Sequence, residues 1–465
     1  MEKRKLNRRD FLRLSALTVT GAALAACNPP SPTAAPTLPP AAATEAPTAV
    51  PQAAGGGTMV FWPEWGGKDA DALKVQVDKF SSESGIKVDY QPIRDHARMI
   101  ASISAGEPPD LLMTWDANAV GSWGFEGALK DLGPYIQGAK MDTTQFFDIG
   151  MVAGNLMGTK QIGIPLTNYI TSVLYFNKDA LTKAGLDPAK PPETWEDVWA
   201  ASEKITVMEN NQLKALGFLV SQGQQGHPTL MAYAYGGSIW SDDFKQVTPD
   251  SDANVEGLKW MQQFYTKYTN AELQRWISSV SQDVSVPTDV LYTGEGAMRI
   301  DGEWVPSFAE KLDPKPNIGM GWLPYPAAKP DVKGTMTANS NPMVIPTAAK
   351  NPDAGFKFVE FISKAENSAP MCVLVGNASP TKDGVAAQIA ATKSEMYKFI
   401  LQEMWTKGKI KSMTINSPMG SQYMDAYGRA RDKILQDGAD ALTEMKKVKD
   451  EIQPQLDEAL KKLGM

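Results

Sequence analysis

The residues from Thr58 to Tyr90 leave the chain little choice of fold. Thr58-Met-Val-Phe-Trp62 is a short β-branched and aromatic run that reads as a strand, ending in Pro63-Glu64-Trp65-Gly66-Gly67. Leu73, Val77 and Phe80 then fall at i, i+4 and i+7 on one helical face, and Gly85 supplies the stop. Ile86, Val88 and Tyr90 alternate as a second strand. A strand–helix–strand unit of about 30 residues predicts parallel pairing with a right-handed crossover. Met99 and Ile103 continue a second helix as far as Gly106, and Pro108-Pro109-Asp110-Leu-Leu-Met-Thr-Trp115 is the next strand. The fold class is therefore α/β. At 465 residues the chain is too long for one core, so two lobes are expected, each a mostly parallel sheet flanked by helices.

A second stretch carries the chemistry. In Gly294-Glu-Gly-Ala-Met-Arg-Ile-Asp-Gly-Glu-Trp304, the residues Ala297, Met298 and Ile300 make an apolar run too short for a helix and bounded by glycines, hence a buried strand. Asp301-Gly302 turns the chain and delivers Glu303 and Trp304 at the strand's end. Ligands of open α/β sheets collect where strands end. A flat ring covers the C–H face of a sugar while a carboxylate takes its hydroxyls.

Composition removes most rivals. The net charge is −7, and the first 26 residues hold six basic against two acidic side chains, so the remainder carries −11. Such a chain has no general attraction to nucleic acid or anionic lipid. Two cysteines, Cys27 and Cys372, and two histidines, His96 and His227, disfavour metal clusters, disulfide frameworks and Cys/His dyads. No phosphate loop, nucleophile elbow, zincin motif or Cys-x-x-Cys is present, and no cofactor is expected. Acidic pairs abound among 53 carboxylates and read as solvated faces rather than a glycosidase dyad.

The front of the chain reads as an address. Asn7-Arg8-Arg9-Asp10-Phe11-Leu12 resembles a twin-arginine export signal, before an apolar stretch from Phe11 to Ala26 that Arg13, Ser15, Thr18 and Thr20 interrupt. Leu24-Ala25-Ala26-Cys27 resembles a lipobox, with Cys27 as the lipidated residue; Cys372 then has no partner and is a buried, inert thiol. Residues 28–57 are mostly Pro, Ala, Thr and Gly with almost no charge, unable to bury a core, and read as a tether. In polyproline II form, at ~3.1 Å per residue, it spans at most roughly 90 Å.

Further along, Thr194 with Asp197 makes a capping box before a helix carrying Trp199 and Ile205. Gly217-Phe-Leu-Val220 reads as a strand and Ala253 to Tyr268 as a helix, with a polar-aromatic loop from Gln222 to Trp240 between them. Ile318-Gly-Met-Gly-Trp322 reads as a strand, and Asn351-Pro352-Asp353 opens a helix burying Phe358, Phe361 and Ile362. The last 85 residues read as charged helices.

Several of these segments together resemble the family 1 extracellular solute-binding proteins of bacterial ABC importers, a maltose-binding-protein-like family. Ser84-Gly-Ile-Lys-Val88 resembles its lead into the second strand, and the Pro-Asp before Leu111 its next step. Ile164-Pro165 to Asn177-Lys178 resembles its first crossing between lobes, Gly294 to Trp304 its "G-x-x-A-M-x-I-x-G-x-W" run, and Asn339-Ser340-Asn341 before Met343-Val-Ile-Pro346 its polar turn. The resemblance implies a two-lobed periplasmic-binding-protein fold with hinge strands near 165–172 and 322–326 and a third crossing near 376. It implies lobes of 58–168 with 325–376 and 169–324 with 377–465, behind a signal peptide (1–26) and a lipidated tether (27–57). It implies an extracytoplasmic, monomeric lipoprotein held to the cell membrane by its lipid alone, closing on a solute and presenting it to a permease. The solute is read as a sugar or short oligosaccharide. A glycerophosphodiester (with Lys68, Arg94 or Arg299 as basic groups), a polyamine, and a secreted glycan-active enzyme remain as alternatives.

Five of the twelve tryptophans, Trp62, Trp65, Trp115, Trp240 and Trp304, fall at strand ends or in loops rather than on helical faces. For each alone, core and site readings are even; converging sheet ends disfavour all five being core. Trp195, Trp199, Trp260, Trp276 and Trp405 read as core, and Trp322 stays open. With Glu64, Asp116, Asn168, Tyr169, His227, Glu303, Asn339 and Ser340, the five complete the candidate ligand contacts.

Overall fold

The computed structural model describes residues 58–220 and 228–465, all within one compact unit. Strand β1 (Thr58–Pro63), the helix Gly67–Ser84 and β2 (Lys87–Tyr90) form the expected unit, with Thr58 opposite Lys87 and Phe61 opposite Tyr90 in parallel register. The helix buries Leu73, Val77 and Phe80 and ends at Gly85, whose φ of 72° and N–H to the Ser81 carbonyl close it. Strand β3 (Leu111–Met113) lies parallel to β1 on its other side.

The remaining strands are β4 (Gly163–Ile170), β5 (Val173–Asn177), β6 (Val207–Glu209), β7 (Gln212–Phe218), β8 (Gly296–Asp301), β9 (Ile318–Gly321), β10 (Thr335–Val344) and β11 (Lys409–Ser412). They build two sheets. The first holds β1–β3, β10, β11 and β4, with β10 antiparallel to both β3 and β4 and parallel to β11. The second runs β6-β7-β8-β5-β9, and only its β7–β8 pair is parallel. The expectation of a mostly parallel sheet is therefore corrected for this half. Strand β5 leaves the crossing between sheets, while β8 and β9 both run back toward it, so strands that carry the chain in and out must oppose one another. The C-terminal segment is helical apart from β11, a short edge strand whose alternation is too weak to stand out in sequence.

Only Thr171 and Ser172 separate β4 from β5, so the chain passes between sheets in two residues. Thr337 of β10 holds this crossing: its carbonyl accepts the Thr171 N–H at 2.9 Å and its N–H donates to Ser172 Oγ at 2.7 Å. Tyr325 pairs with Thr194, and the chain re-enters the first sheet at Thr335. Ala378 bridges back to Asn168.

Strand alternation divides the first core in two. Phe61 packs with Phe80, Phe358 and Phe361 on one face of the sheet, while Leu112, Val120, Trp123 and Val344 fill the other. In the second half, the capping box of Thr194 and Asp197 opens the helix Trp195–Ile205, and Trp195, Phe218, Trp260 and Phe264 pack ring on ring. Among the described residues, no helix is long and apolar enough to cross a membrane.

Candidate ligand-binding site

A cavity of about 700 Å³ opens beyond the C-terminal ends of the parallel strands β1, β2 and β3. The turn after β1 supplies Trp65 and Gly66, the first turn of the helix Gly67–Ser84 supplies Asp69, the segment after β2 supplies Arg94, and the segment after β3 supplies Trp115, Asp116 and Asn118. Tyr169 and Thr171 enter from β4 and its crossing, and Asn339 and Asn341 from β10. Val284, Trp304, Phe308, Val375, Asn377 and Met413 complete the wall. This is where strand-end geometry places ligands in an α/β sheet.

Two glycines leave room for side chains of the wall, Trp304 and Arg94. A Cβ on Gly302 would sit 2.1 Å from the Trp304 ring, so only glycine lets that indole fold back over the turn. A Cβ on Gly66 would meet the Arg94 side chain at 2.6 Å. Trp304 then meets Tyr169 edge to face, ring centroids 5.9 Å apart. Trp115 is 44% exposed, an accessible surface under the Arg94 guanidinium, which lies 5.7 Å from its ring.

Of the residues singled out in sequence, Trp65, Trp115, Asp116, Tyr169, Trp304 and Asn339 line this cavity. The others lie elsewhere, for identifiable reasons. Trp62 alternates with Phe61 and so packs on the opposite face of β1, with Arg98 5.1 Å from its ring. Asn168 pairs with Ser340 and Tyr169 with Asn339; one pair turns to the cavity and the other is buried behind it. Trp240 packs on Tyr423 at 4.8 Å in the second core. His227, with Gln222, Gln224 and Gln225, lies outside the described residues, as does Cys27.

The two glutamates are buried and committed to the protein. Glu64 Oε2 accepts the Thr114 hydroxyl at 2.5 Å and the Trp115 N–H at 3.1 Å, while Oε1 lies 3.2 Å from His96 Nδ1. His96 Nε2 is 3.8 Å from Asp116 Oδ2, and its ring stacks on Trp123. The hydrogen bond to Glu64, reinforced by the charges of Glu64 and Asp116, holds the imidazole above its ordinary pKa against the effect of burial. Asp116 itself caps the helix Ala117–Phe125, Oδ1 accepting the N–H groups of Asn118 and Ala119. Glu303 accepts three N–H donors behind the cavity, from Ile170, Ala378 and Trp405, and burial pushes its carboxyl up to about 8.

The family of bacterial extracellular solute-binding proteins matches residues 41–369. The chain belongs to that family. Its relatives include an uncharacterized ABC transporter extracellular-binding protein of Pyrococcus horikoshii, 25% identical over 338 residues, 70% of this chain and 71% of that one. The sn-glycerol-3-phosphate-binding periplasmic protein of Shigella flexneri is 27% identical over 327 residues, 67% of this chain and 72% of the relative. Among solved structures, CpMnBP1 with mannobiose bound superposes with a TM-score of 0.75 at 24% identity, over 85% of this chain and 99% of that one. The two-sheet architecture is thus the two-lobed solute-binding fold.

Sequence reasoning did not place Asp69, Asn118, Asn341 or Asn377 among the ligand contacts of this solute-binding protein, and named Arg94 only as a basic group. Arg94 and Asn118 follow the ends of β2 and β3, so the strand-end rule that marked Trp115 applies to them equally. Asn341 shares the period-two face of Asn339. Charge is mixed at the wall: burial raises the Asp69 carboxyl against the pull of Lys68, Lys311 and Arg94. Lys68 Nζ lies 4.0 Å from the Phe308 ring. Arg299 is buried instead between Asp289 (3.2 Å) and Asp301 (3.0 Å), away from the cavity.

Proposed function

We propose that this solute-binding protein captures an uncharged sugar or short oligosaccharide by lobe closure and presents it to the permease of an ABC importer. One observation carries the reading: Trp65, Trp115, Tyr169 and Trp304 line the same cavity as Asp116, Asn118, Asn339, Asn341 and Asn377. Rings cover the apolar face of a pyranose while carboxylate and amide groups exchange hydrogen bonds with its hydroxyls. Its volume of about 700 Å³ lies in the range of small-molecule sites. Hydrogen bonds worth about 1 kcal/mol each, with ring contacts, bring affinity to the micromolar range, about 8 kcal/mol. The wall draws on segments attached to both sheets, so only a closed arrangement lets every group touch the solute, and binding shifts the population toward closure. The mannobiose complex of the structural neighbour supports the sugar class.

Binding rather than turnover is favoured because Glu64 and Glu303 spend their oxygens on protein donors, and Asp116 spends one on a helix cap. In the same reading, the protein acts outside the cytoplasm as a monomer, tethered through residues 28–57 to a lipid on Cys27, with no nucleic-acid partner.

A second reading is a phosphorylated polyol, favoured by Arg94 on the wall, by Lys68 and Lys311 beside Asp69, and by the Shigella relative. Calorimetry with mannobiose, sn-glycerol 3-phosphate and spermidine separates the classes. Saturable binding of mannobiose alone is expected; binding of sn-glycerol 3-phosphate or spermidine without any sugar overturns the assignment.

A further inference from the structure

We infer that Glu303 is a positioning residue for the ligand site, its buried side chain tying together from behind the segments that bring Tyr169, Asn377 and Trp304 to the cavity. Glu303 Oε2 accepts the Ile170 N–H at 3.1 Å and the Trp405 indole N–H at 2.7 Å, and Oε1 accepts the Ala378 N–H at 2.5 Å. The Glu303 N–H donates to the Ile170 carbonyl at 3.0 Å, so one residue grips both backbone groups of Ile170. Each backbone grip lies one residue from the wall. Tyr169 and Thr171 flank Ile170, Asn377 precedes Ala378, and Trp304 follows Glu303; all four line the cavity. The gripped segments are far apart in sequence: the end of β4, the turn after β8, and the stretch leaving the helix Ala365–Val375.

A buried carboxylate without a cation is costly and survives only where donors surround it. Glu303 has 0% exposure, and among the described residues its carboxylate meets N–H donors rather than a lysine or arginine. Its titratable neighbours are Cys372, Tyr175 and Tyr397, each pushed up by burial and by Glu303 itself. They stay neutral near pH 7, so of these four buried groups Glu303 is the one that changes charge there. Three N–H donors match the ionised form, which only accepts; a proton on the carboxyl adds an O–H donor to surroundings that otherwise offer it N–H donors. Burial outweighs the donors and lifts the carboxyl to about 8, so the matched form gains population as the pH rises through that value.

The inference rests on reading the cavity as the solute site, and the test separates the two. With the full chain and mannobiose as probe, wild-type affinity tightens from about pH 6 to about pH 9. Glu303→Gln turns an amide toward a donor; it weakens mannobiose binding about tenfold at high pH and flattens the profile. Trp405→Phe removes one donor and keeps the carboxylate, moving the profile to higher pH. Without ligand, the emission difference between each protein and its Trp304→Phe counterpart isolates Trp304; it titrates near pH 8 in wild type and is flat in Glu303→Gln. Weaker binding with an unchanged pH profile assigns Glu303 a merely structural role and overturns the inference, as does a Trp304 signal that does not titrate in wild type. If wild type ignores mannobiose while Trp304 still titrates, the sugar reading fails and the positioning role stands. Should Glu303→Gln not fold, Trp405→Phe decides by whether its profile moves.

Discussion

Tyr169 and Trp304 meet edge to face, ring centroids 5.9 Å apart, although one belongs to a strand of the first sheet and the other follows a strand of the second. In the proposed reading, a solute between the lobes rests on a corner made by both. Trp304→Ala removes the larger wall and is expected to weaken mannobiose binding by about 2 kcal/mol, roughly thirtyfold, from lost stacking and burial. Isothermal calorimetry reads this directly. Wild-type affinity in the variant means the sugar is held elsewhere.

His96 links the buried Glu64 to Asp116 on the cavity wall. Its folded pKa lies above the ordinary 6.5, so the stability it contributes is complete below that value and is lost as the pH rises through the folded pKa. Glu64→Gln removes the main cause. The imidazole titration by NMR, assigned against a His227 variant, is expected above 6.5 in wild type and lower in Glu64→Gln.

Arg299 sits between Asp289 and Asp301 with almost no exposure, and burial pushes both carboxyls up against the guanidinium's pull. Arg299→Met leaves two buried acids without their cation and is expected to cost about 3–5 kcal/mol in urea unfolding. Because Arg299 is away from the cavity, the folded fraction keeps its mannobiose affinity. A specific loss of affinity at unchanged stability contradicts this placement.

Arg94 is the cavity's arginine, stacked toward Trp115. Arg94→Ala is expected to leave the unfolding midpoint within about 0.5 kcal/mol of wild type, as surface substitutions do. It abolishes any residual binding of sn-glycerol 3-phosphate. Undiminished phosphate binding in the variant moves the anion contact to another group.

Cys372 is fully buried, and burial with the nearby Glu303 charge pushes its thiol well above the ordinary range. In native protein it is expected to ignore a thiol reagent that reacts at once in denaturant. Rapid native labelling places that helix outside the core.

What the sequence determined by itself is local or periodic. Leu73, Val77 and Phe80 specify one helical face, Gly85 its end, Thr194 with Asp197 a capped start, and the run from Gly294 to Trp304 a buried strand with its turn. Tertiary structure decided which side of each strand and turn looks outward. Glu303 and Trp304 are neighbours, yet the indole reaches the cavity while the carboxylate meets backbone from Ile170 and Ala378, segments 133 and 75 residues distant. Asn168 and Tyr169 divide in the same way, as do Phe61 and Trp62. Strand periodicity says that such neighbours part company; it does not say which one faces the cavity. That choice belongs to the packing of distant segments, because a polar group goes where donors from the rest of the chain await it.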